Sequence, residues 1–150
     1  MSKFFSPKKI HIIKSNIPNS GRGVFASVDI KKDEIIEIAP ILILEFSDFI
    51  TQRVSRSDAM KSRAIIDTKW NKLFEYYFWM DDYVALALGY GSLYNHSKDP
   101  NCQYELNRKE ETITFTAIKD IKKDEEILFN YKGSSSENAP LWFEHKKVVK

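Results

Sequence analysis

The stretch Asn95-His96-Ser97-Lys98-Asp99-Pro100-Asn101 is the most informative part of this sequence. It places amide, imidazole and hydroxyl groups, which donate and accept hydrogen bonds in fixed directions, in one short turn that Pro100 stiffens. The apolar run from Tyr83 to Leu88 precedes it and predicts a strand. A lone histidine is more often structural than functional, but this string of residues rarely arises by chance. Asn95 and His96 are therefore candidate functional residues.

Three other segments also carry groups that can bind a ligand. Gly21-Arg22-Gly23-Val24-Phe25-Ala26 places two glycines around an arginine, so its backbone can approach a ligand, although alone it equally fits a plain turn. Glu126-Ile127-Leu128-Phe129-Asn130-Tyr131 ends a predicted buried strand on a tyrosine, which either points into a cleft or is a core residue. The aromatic pair Trp142-Phe143 in the tail either covers the core or stacks on a planar ligand.

Strand patterns dominate the rest of the chain. Alternate residues are apolar from Cys102 to Leu106 and again from Ile113 to Ala117, with the polar stretch 108–111 between them. This alternation predicts a hairpin with one buried face. The aromatic run from Leu73 to Met80 predicts another strand. The segment from Phe46 to Arg63 is the best candidate for a helix, on weak periodicity.

An internal repeat links the two halves of the chain. The segments 26–36 and 117–127 are identical at eight of eleven positions. The pattern predicts a strand, a polar turn and a strand, used twice, with Ile30 and Ile121 anchoring the turns to the core. The alternative is that any tight turn in a lysine-rich chain shows such similarity. Two copies are too few for a solenoid.

Composition excludes several classes of protein. The 150 residues suffice for one domain with its own core, and the net charge of +2 does not indicate a nucleic-acid binder. The single cysteine, Cys102, excludes an intrachain disulfide and zinc sites that need two cysteines from one chain. The longest apolar run, Ile38 to Leu44, is far shorter than the roughly 20 residues of a membrane span. We expect an intracellular, soluble protein without a targeting segment.

Together and in this order, these segments resemble a SET domain, the fold of many protein-lysine methyltransferases. Gly21 to Ala26 resembles its first motif, Asn95 to Asn101 its most specific motif and Glu126 to Tyr131 its catalytic motif. The short chain and the string 87–101 are most similar to the minimal viral and bacterial SET proteins. The resemblance implies a mostly β fold, the SET-domain β-clip of several small sheets, with little helix and a pseudoknot-like threading of the C-terminal segment. It implies one domain over 1–150, with a core of about 10–133 and a tail, 134–150, that closes the cofactor site and channel.

The resemblance also implies a methyl donor and the residues that bind it. The donor would be S-adenosyl-L-methionine, lying against the backbone of Arg22, Gly23 and Val24. Asn95 and His96 would hold it through main-chain and side-chain hydrogen bonds. Tyr131 would contact it, and Trp142 would stack on its adenine. No metal is expected.

The same resemblance implies roles for aromatic residues around the substrate lysine. Tyr131 would be the active-site tyrosine, with Tyr76 as the second tyrosine and Tyr77 as its rival. The channel would be lined by Tyr76, Tyr104, Phe129 and Tyr131. Phe129 stands where family members carry either phenylalanine or tyrosine. Because phenylalanine leaves room beside the amine, we expect di- or trimethylation as well as monomethylation, although the Tyr104 hydroxyl weakens this expectation.

The sequence departs from the family's pattern in three ways. Asn130 replaces the aspartate that commonly precedes the catalytic tyrosine, and Ser92-Leu93 replaces an Arg-Phe pair, so we assign no cofactor role there. The cysteine cluster that binds zinc in many eukaryotic relatives cannot form with Cys102 alone. The Trp142-Phe143 tail would have to close the site instead.

The expected partner is a protein or peptide with a target lysine, for which a histone tail is one candidate. We expect no nucleic-acid or membrane binding, and a homodimer is one candidate assembly. The location would be cytoplasmic, or nuclear at host chromatin if histones are the target. The alternative functions are a catalytically inactive SET-fold binding module and a purely structural β-domain. Acidic residues could face a basic peptide but are more simply interpreted as solvated surface: Glu37, Glu45, Asp48, Glu75, Asp81 and Asp82.

Overall fold

The computed structural model of the chain describes residues 8–45, 76–80 and 83–131. These residues form nine strands and a turn of 3₁₀ helix, Gly91–Leu93. The strands are β1 Ile10–Lys14, β2 Arg22–Ala26, β3 Ile35–Glu45, β4 Tyr77–Trp79, β5 Tyr83–Ala87, β6 Asn95–His96, β7 Cys102–Asn107, β8 Thr112–Ala117 and β9 Leu128–Phe129. They are arranged in three small sheets, as the mostly β prediction requires.

The largest sheet has five strands in the order β4-β5-β3-β8-β7. The predicted hairpin is its β7–β8 edge, where Tyr104 pairs with Phe115 and Cys102 with Ala117. Cys102, Phe115 and Ala117 are buried, whereas the alternating residues Gln103 and Glu105 are exposed. The hairpin forms because one face of each strand is apolar and is buried against the core.

A β-bulge in β3 turns a carboxylate into the core. The pairing of β3 with β8 shifts between Ile35 and Glu37, so that the consecutive residues Ile36 and Glu37 are both buried. A regular strand would alternate their directions, but a bulge adds one residue and re-aims the side chains that follow. The prediction that Glu37 lies on the solvated surface is therefore wrong.

The internal repeat forms a pair of interlocked turns. Ile30 and Ile121 donate reciprocal backbone hydrogen bonds to each other, with N–O distances of 2.9 and 2.8 Å, and both side chains are buried. Asp33 and Asp124 take the same left-handed conformation, with φ of 67° and 66°. The two copies therefore face each other across a pseudo-twofold axis, and the predicted isoleucine anchors are confirmed.

The C-terminal strand β9 lies parallel to β6. The Asn101 side chain holds it there: Oδ1 accepts from the Leu128 amide at 2.8 Å, and Nδ2 donates to the Glu126 carbonyl at 2.9 Å. The last described segment is thereby joined to the turn that follows β6, as expected for the C-terminal threading. The Asn-His string and the segment that ends at Tyr131 become neighbours.

Several predicted features lie outside the described residues. They are the helix candidate 46–63, the first residues of the 73–80 strand, the 134–150 tail and Trp142. Within the part of the chain that is described, β4 is the only piece of that strand, and no helix is long and apolar enough to cross a membrane.

Candidate active site

The Asn95 side chain connects the glycine segment to the C-terminal segment. Its amide nitrogen donates to the Arg22 carbonyl at 3.0 Å and to Glu126 Oε1 at 2.8 Å. Arg22 is exposed at the start of β2, whereas Val24 is buried and its carbonyl accepts from the Ile127 amide at 2.8 Å. The glycine segment, the Asn-His string and the segment that ends at Tyr131 therefore meet. The carbonyls of Arg22 and Val24 accept hydrogen bonds from within the fold.

Glu126 is a buried carboxylate at this junction. Besides Asn95, its oxygens accept from the Ser15 hydroxyl at 2.7 Å and the Asn16 amide at 3.0 Å. A Cβ added at Gly23 would overlap the same carboxylate, so only glycine allows β2 to lie this close. One side chain thus fixes the end of β1, the glycine segment and the Asn-His string.

His96 and Tyr94 position Tyr131. The His96 Nδ1 atom accepts from the Tyr131 amide at 3.1 Å, and the two rings lie 5.2 Å apart. The Tyr131 hydroxyl donates to the Tyr94 carbonyl at 2.8 Å. The half-buried tyrosine is therefore fixed at its backbone and at its hydroxyl, and that hydroxyl lies beside a main-chain oxygen.

A cluster of aromatic rings surrounds Phe129. Its ring centroid lies 4.9 Å from Tyr131, 5.3 Å from Tyr104 and 5.8 Å from Phe78. Burial raises the pKa of the Tyr104 hydroxyl, which therefore stays protonated at neutral pH. The structure places three of the four predicted channel residues together: Tyr104, Phe129 and Tyr131.

Tyr76 and Trp142 are placed differently. Tyr76 precedes β4, its side chain is 39% exposed, and its carbonyl accepts from the Ser92 hydroxyl at 3.2 Å. It therefore lies beside the 3₁₀ turn that leads to Tyr94. Tyr77, its rival, is half-buried on β4. Trp142 lies outside the described residues, so its predicted stacking on adenine stays a prediction.

Sequence reasoning assigned no role to three residues of this site: Glu126, Tyr94 and Phe78. For Glu126 a signal existed, because a charged residue stands where the other copy of the repeat has Ile35. Ile35 is 44% exposed, whereas Glu126 is 6% exposed. A carboxylate that breaks a repeat and becomes buried has partners that only the fold supplies.

The match to known families agrees with this geometry. Residues 21–132 match the SET domain, which is most of the chain and includes every motif described above except the tail. The chain belongs to the SET domain family. The predicted family and fold class are confirmed, as is the predicted enzyme class, a protein-lysine N-methyltransferase.

Relatives of this SET domain include named histone methyltransferases. One from Schizosaccharomyces pombe, specific for lysine 37 of histone H3, is 30% identical over 125 residues, covering 83% of this chain and 71% of the relative. A crystal structure from Plasmodium falciparum, assigned as a histone methyltransferase, has a TM-score of 0.61 and 34% identity, covering 87% of this chain and 98% of that one.

A third comparison supports the fold alone. Polycomb repressive complex 2 of Chaetomium thermophilum, solved in an autoinhibited conformation with S-adenosylmethionine bound, is 24% identical with a TM-score of 0.62. The alignment covers 95% of this chain and 17% of that one.

The residues of this SET domain fit a sulfonium donor. A Cβ at Gly21, where φ is 71°, would meet no atom of the described residues within 4 Å, so the backbone there is open towards the rest of the described chain. The Tyr131 hydroxyl and the Tyr94 carbonyl offer uncharged oxygen atoms, and the rings of His96 and Tyr131 offer aromatic faces. Oxygen lone pairs and aromatic faces attract a cationic centre.

Proposed function

We propose that this chain methylates a lysine side chain of a histone tail at chromatin, with Tyr131 at the reacting centre. The observation that carries the proposal is the Tyr131 hydroxyl, held 2.8 Å from the Tyr94 carbonyl beside a buried aromatic cluster. The named relatives act on histones, which makes histone H3 the first substrate to test.

The chain's own residues divide into a donor side and an amine side. On the donor side, the backbone of Arg22, Gly23 and Val24, with Asn95 and His96, would hold S-adenosylmethionine. When bound, this donor supplies a methyl group on a positively charged sulfur, which the lone pair of a neutral amine displaces. Glu126 acts indirectly by keeping these segments in register.

The amine side has to favour the neutral form of lysine. A free lysine has a pKa of about 10.4, so roughly one in a thousand is neutral at pH 7. An aromatic environment formed by Tyr104 and Phe129 disfavours the ammonium, because burial removes its hydration. The Tyr131 hydroxyl oxygen and the Tyr94 carbonyl oxygen then accept hydrogen bonds from the N–H groups of the amine, which leaves its lone pair free and holds it in line. Alignment of reacting atoms to about 3 to 3.5 Å supplies much of the rate.

The proton of the lysine leaves before the transfer. None of the predicted site residues is an aspartate or a glutamate, so water would carry the proton to solvent. Phe129, which has no hydroxyl, leaves room beside the amine for that water and for methyl groups already transferred.

The homodimer and the absence of nucleic-acid binding stay predictions from the sequence.

The test uses methyl-labelled S-adenosylmethionine, core histones and a cell lysate. We expect label in histone H3 with the unaltered protein, and a loss of at least about 100-fold with Tyr131→Phe, because a positioned hydroxyl is removed. Donor binding, measured by calorimetry, should survive this change. Tyr83→Phe is the matched control, because Tyr83 lies on β5 against Arg108, outside the candidate site.

Other outcomes decide between the alternatives. Label found only in a lysate protein would show that the chain is a methyltransferase whose substrate is not a histone. Donor binding without label in any fraction would favour the inactive binding module. Equal labelling by the protein and by Tyr131→Phe would show that Tyr131 has another role.

A further inference from the structure

One buried carboxylate holds both ends of the turn 90–94. Glu37 Oε1 accepts from the Tyr90 amide at 2.8 Å, and Oε2 accepts from the Tyr94 hydroxyl at 3.1 Å. Glu37 is 2% exposed and Tyr94 is 1% exposed. Because each oxygen has its own donor, the carboxylate connects the two ends of the turn across the 3₁₀ helix.

The backbone of this turn has no free space on its inner side. A Cβ at Gly89 would overlap the Glu37 carboxylate, and one at Gly91 would lie 2.7 Å from the Phe115 ring. The Ser92 hydroxyl donates to the Ala87 carbonyl at 3.3 Å and to the Tyr76 carbonyl at 3.2 Å. The turn is thus packed directly on β3 and β8, and it also contacts the segment that carries Tyr76.

The same turn ends at the carbonyl that orients the proposed catalytic hydroxyl. The Tyr94 side chain is fixed by Glu37 and by its ring contact with Phe115, at 4.7 Å between centroids. With the side chain and the preceding turn fixed, the direction of the Tyr94 carbonyl is set as well. That carbonyl accepts the Tyr131 hydroxyl at 2.8 Å.

We propose that Glu37 is a positioning residue for methyl transfer, which fixes the Tyr131 hydroxyl through the turn 90–94 and the Tyr94 carbonyl. The proposal rests on the proposed function of Tyr131. Glu37 acts through Tyr94 and contacts it from within the core. A displacement of about 1 Å in a positioned group can lower a rate by about 100-fold, so an anchor at this distance affects turnover.

The replacement Glu37→Gln removes one of the two acceptors while keeping the shape. Its NH₂ group has to face either the Tyr90 amide, which is itself a donor, or the Tyr94 hydroxyl, which can then accept from it but no longer donate. In either case one buried donor, the Tyr90 N–H or the Tyr94 O–H, loses its acceptor and the hold on the turn weakens. We expect kcat to fall about 10- to 100-fold, with the KM for S-adenosylmethionine unchanged, because Glu37 hydrogen-bonds to Tyr90 and Tyr94, which belong to the turn rather than to the donor side.

The decisive measurement is a double-mutant cycle with Tyr131→Phe, using single-turnover rates. If Glu37 acts by positioning the Tyr131 hydroxyl, Glu37→Gln should cause no further loss once that hydroxyl is absent. Ile30→Val is the control for stability, since Ile30 is buried in the interlocked turns. It should lower the melting temperature and leave kcat unchanged.

Three results would overturn the proposal. An unchanged kcat in Glu37→Gln would do so while Tyr131→Phe remains impaired, which leaves the proposed function intact. An equal loss in both backgrounds would assign Glu37 a purely structural role. A fully active Tyr131→Phe would overturn the role of Tyr131 and this inference with it. If Glu37→Gln does not yield folded protein, Tyr94→Phe takes its place in the same cycle, because it removes one donor and keeps the ring.

Discussion

Phe129 contacts the rings of both Tyr104 and Tyr131 at the centre of the candidate site. It is 5% exposed, so its ring sets how much room the buried aromatic cluster leaves for a methylated amine. The Tyr104 ring contacts the same cluster, and its hydroxyl, whose pKa is raised by burial, is a neutral donor and acceptor. We therefore expect the number of methyl groups transferred to depend on these two side chains.

We predict that Phe129→Tyr shifts the product towards monomethyl-lysine. The added hydroxyl takes the space of a water or of a second methyl group, and it can hold the amine by a hydrogen bond. Mass spectrometry of the methylated histone gives the product distribution. The unaltered protein should form di- or trimethyl-lysine as well as monomethyl-lysine.

The Tyr104→Phe variant is the matched control for this prediction, because it removes a hydroxyl from another ring of the same cluster. It should keep or increase the share of higher products. An unaltered protein that stops at monomethyl-lysine would contradict the prediction from Phe129, and a gain of dimethyl-lysine in Tyr104→Phe would then identify Tyr104 as the restricting residue.

At the scale of elements, the interlocked turns are joined by two symmetric ion pairs. Lys31 Nζ lies 2.8 Å from Asp120, and Lys122 Nζ lies 3.0 Å from Asp29. Each aspartate also accepts a backbone amide from the opposite copy, Lys32 for Asp120 and Lys123 for Asp29. The carboxylates thus join residues that are about 90 positions apart in the chain.

These contacts should make the stability of the folded state depend on pH in the acidic range. The Lys123 amide and the Lys122 side chain lower the pKa of Asp29, and the Lys31 side chain and the Lys32 amide lower that of Asp120. A carboxyl whose pKa is lower in the folded state contributes stability above its unfolded value of 3.8, and this contribution is lost as the pH falls through the folded pKa.

We predict that the double variant Asp29→Asn/Asp120→Asn melts at a lower temperature at pH 7 and shows a weaker loss of stability below pH 4. Melting curves between pH 7 and pH 2.5, followed by circular dichroism, measure both effects. Asp99→Asn is the control, because it removes an exposed ion pair to Lys119 whose carboxylate lies outside both copies of the repeat. A pH dependence identical to that of the unaltered protein would contradict the prediction.

At the scale of the whole molecule, Glu126 joins parts of the chain that are far apart in sequence. Its partner Ser15 is 111 residues away, and its partner Asn95 is 31 residues away. The donor side of the site therefore depends on contacts between the beginning, the middle and the end of the described chain. A ligand bound there should stabilise all of them at once.

We predict that S-adenosylmethionine at 100 times its dissociation constant stabilises the folded state by about 2.7 kcal/mol. For a chain of this size, that corresponds to a rise in melting temperature of roughly 5 to 10 °C. Glu126→Gln should lose most of this rise, because a glutamine cannot accept all three donors. Differential scanning calorimetry with and without the donor measures it.

Phe129→Tyr serves as the control for this ligand-induced shift, since it changes the amine side of the site and should keep the full rise. An undiminished rise in Glu126→Gln would show that Glu126 does not organise the donor side. If the unaltered protein shows no rise, the donor site itself is misassigned.

The sequence by itself determined the features that depend on local pattern. Alternating apolar residues specified the β7–β8 hairpin, because a strand with one buried face needs no distant information to be recognised. The repeat specified two equivalent turns, because the same residues in the same order favour the same local backbone conformation. Asp33 and Asp124 accordingly share a left-handed conformation. The ordered motifs around Gly23, Asn95 and Tyr131 specified the family.

Only the tertiary structure decided how buried carboxylates and main-chain groups meet. From the sequence, Glu37 was expected to be a surface residue. In the structure a bulge in β3 turns it towards Tyr94, which is 57 residues away. No pattern in the sequence marks the Tyr94 carbonyl, because every residue carries one and only the fold aims it at the Tyr131 hydroxyl. A buried polar group is stable only with partners, and its partners come from distant segments that folding brings together.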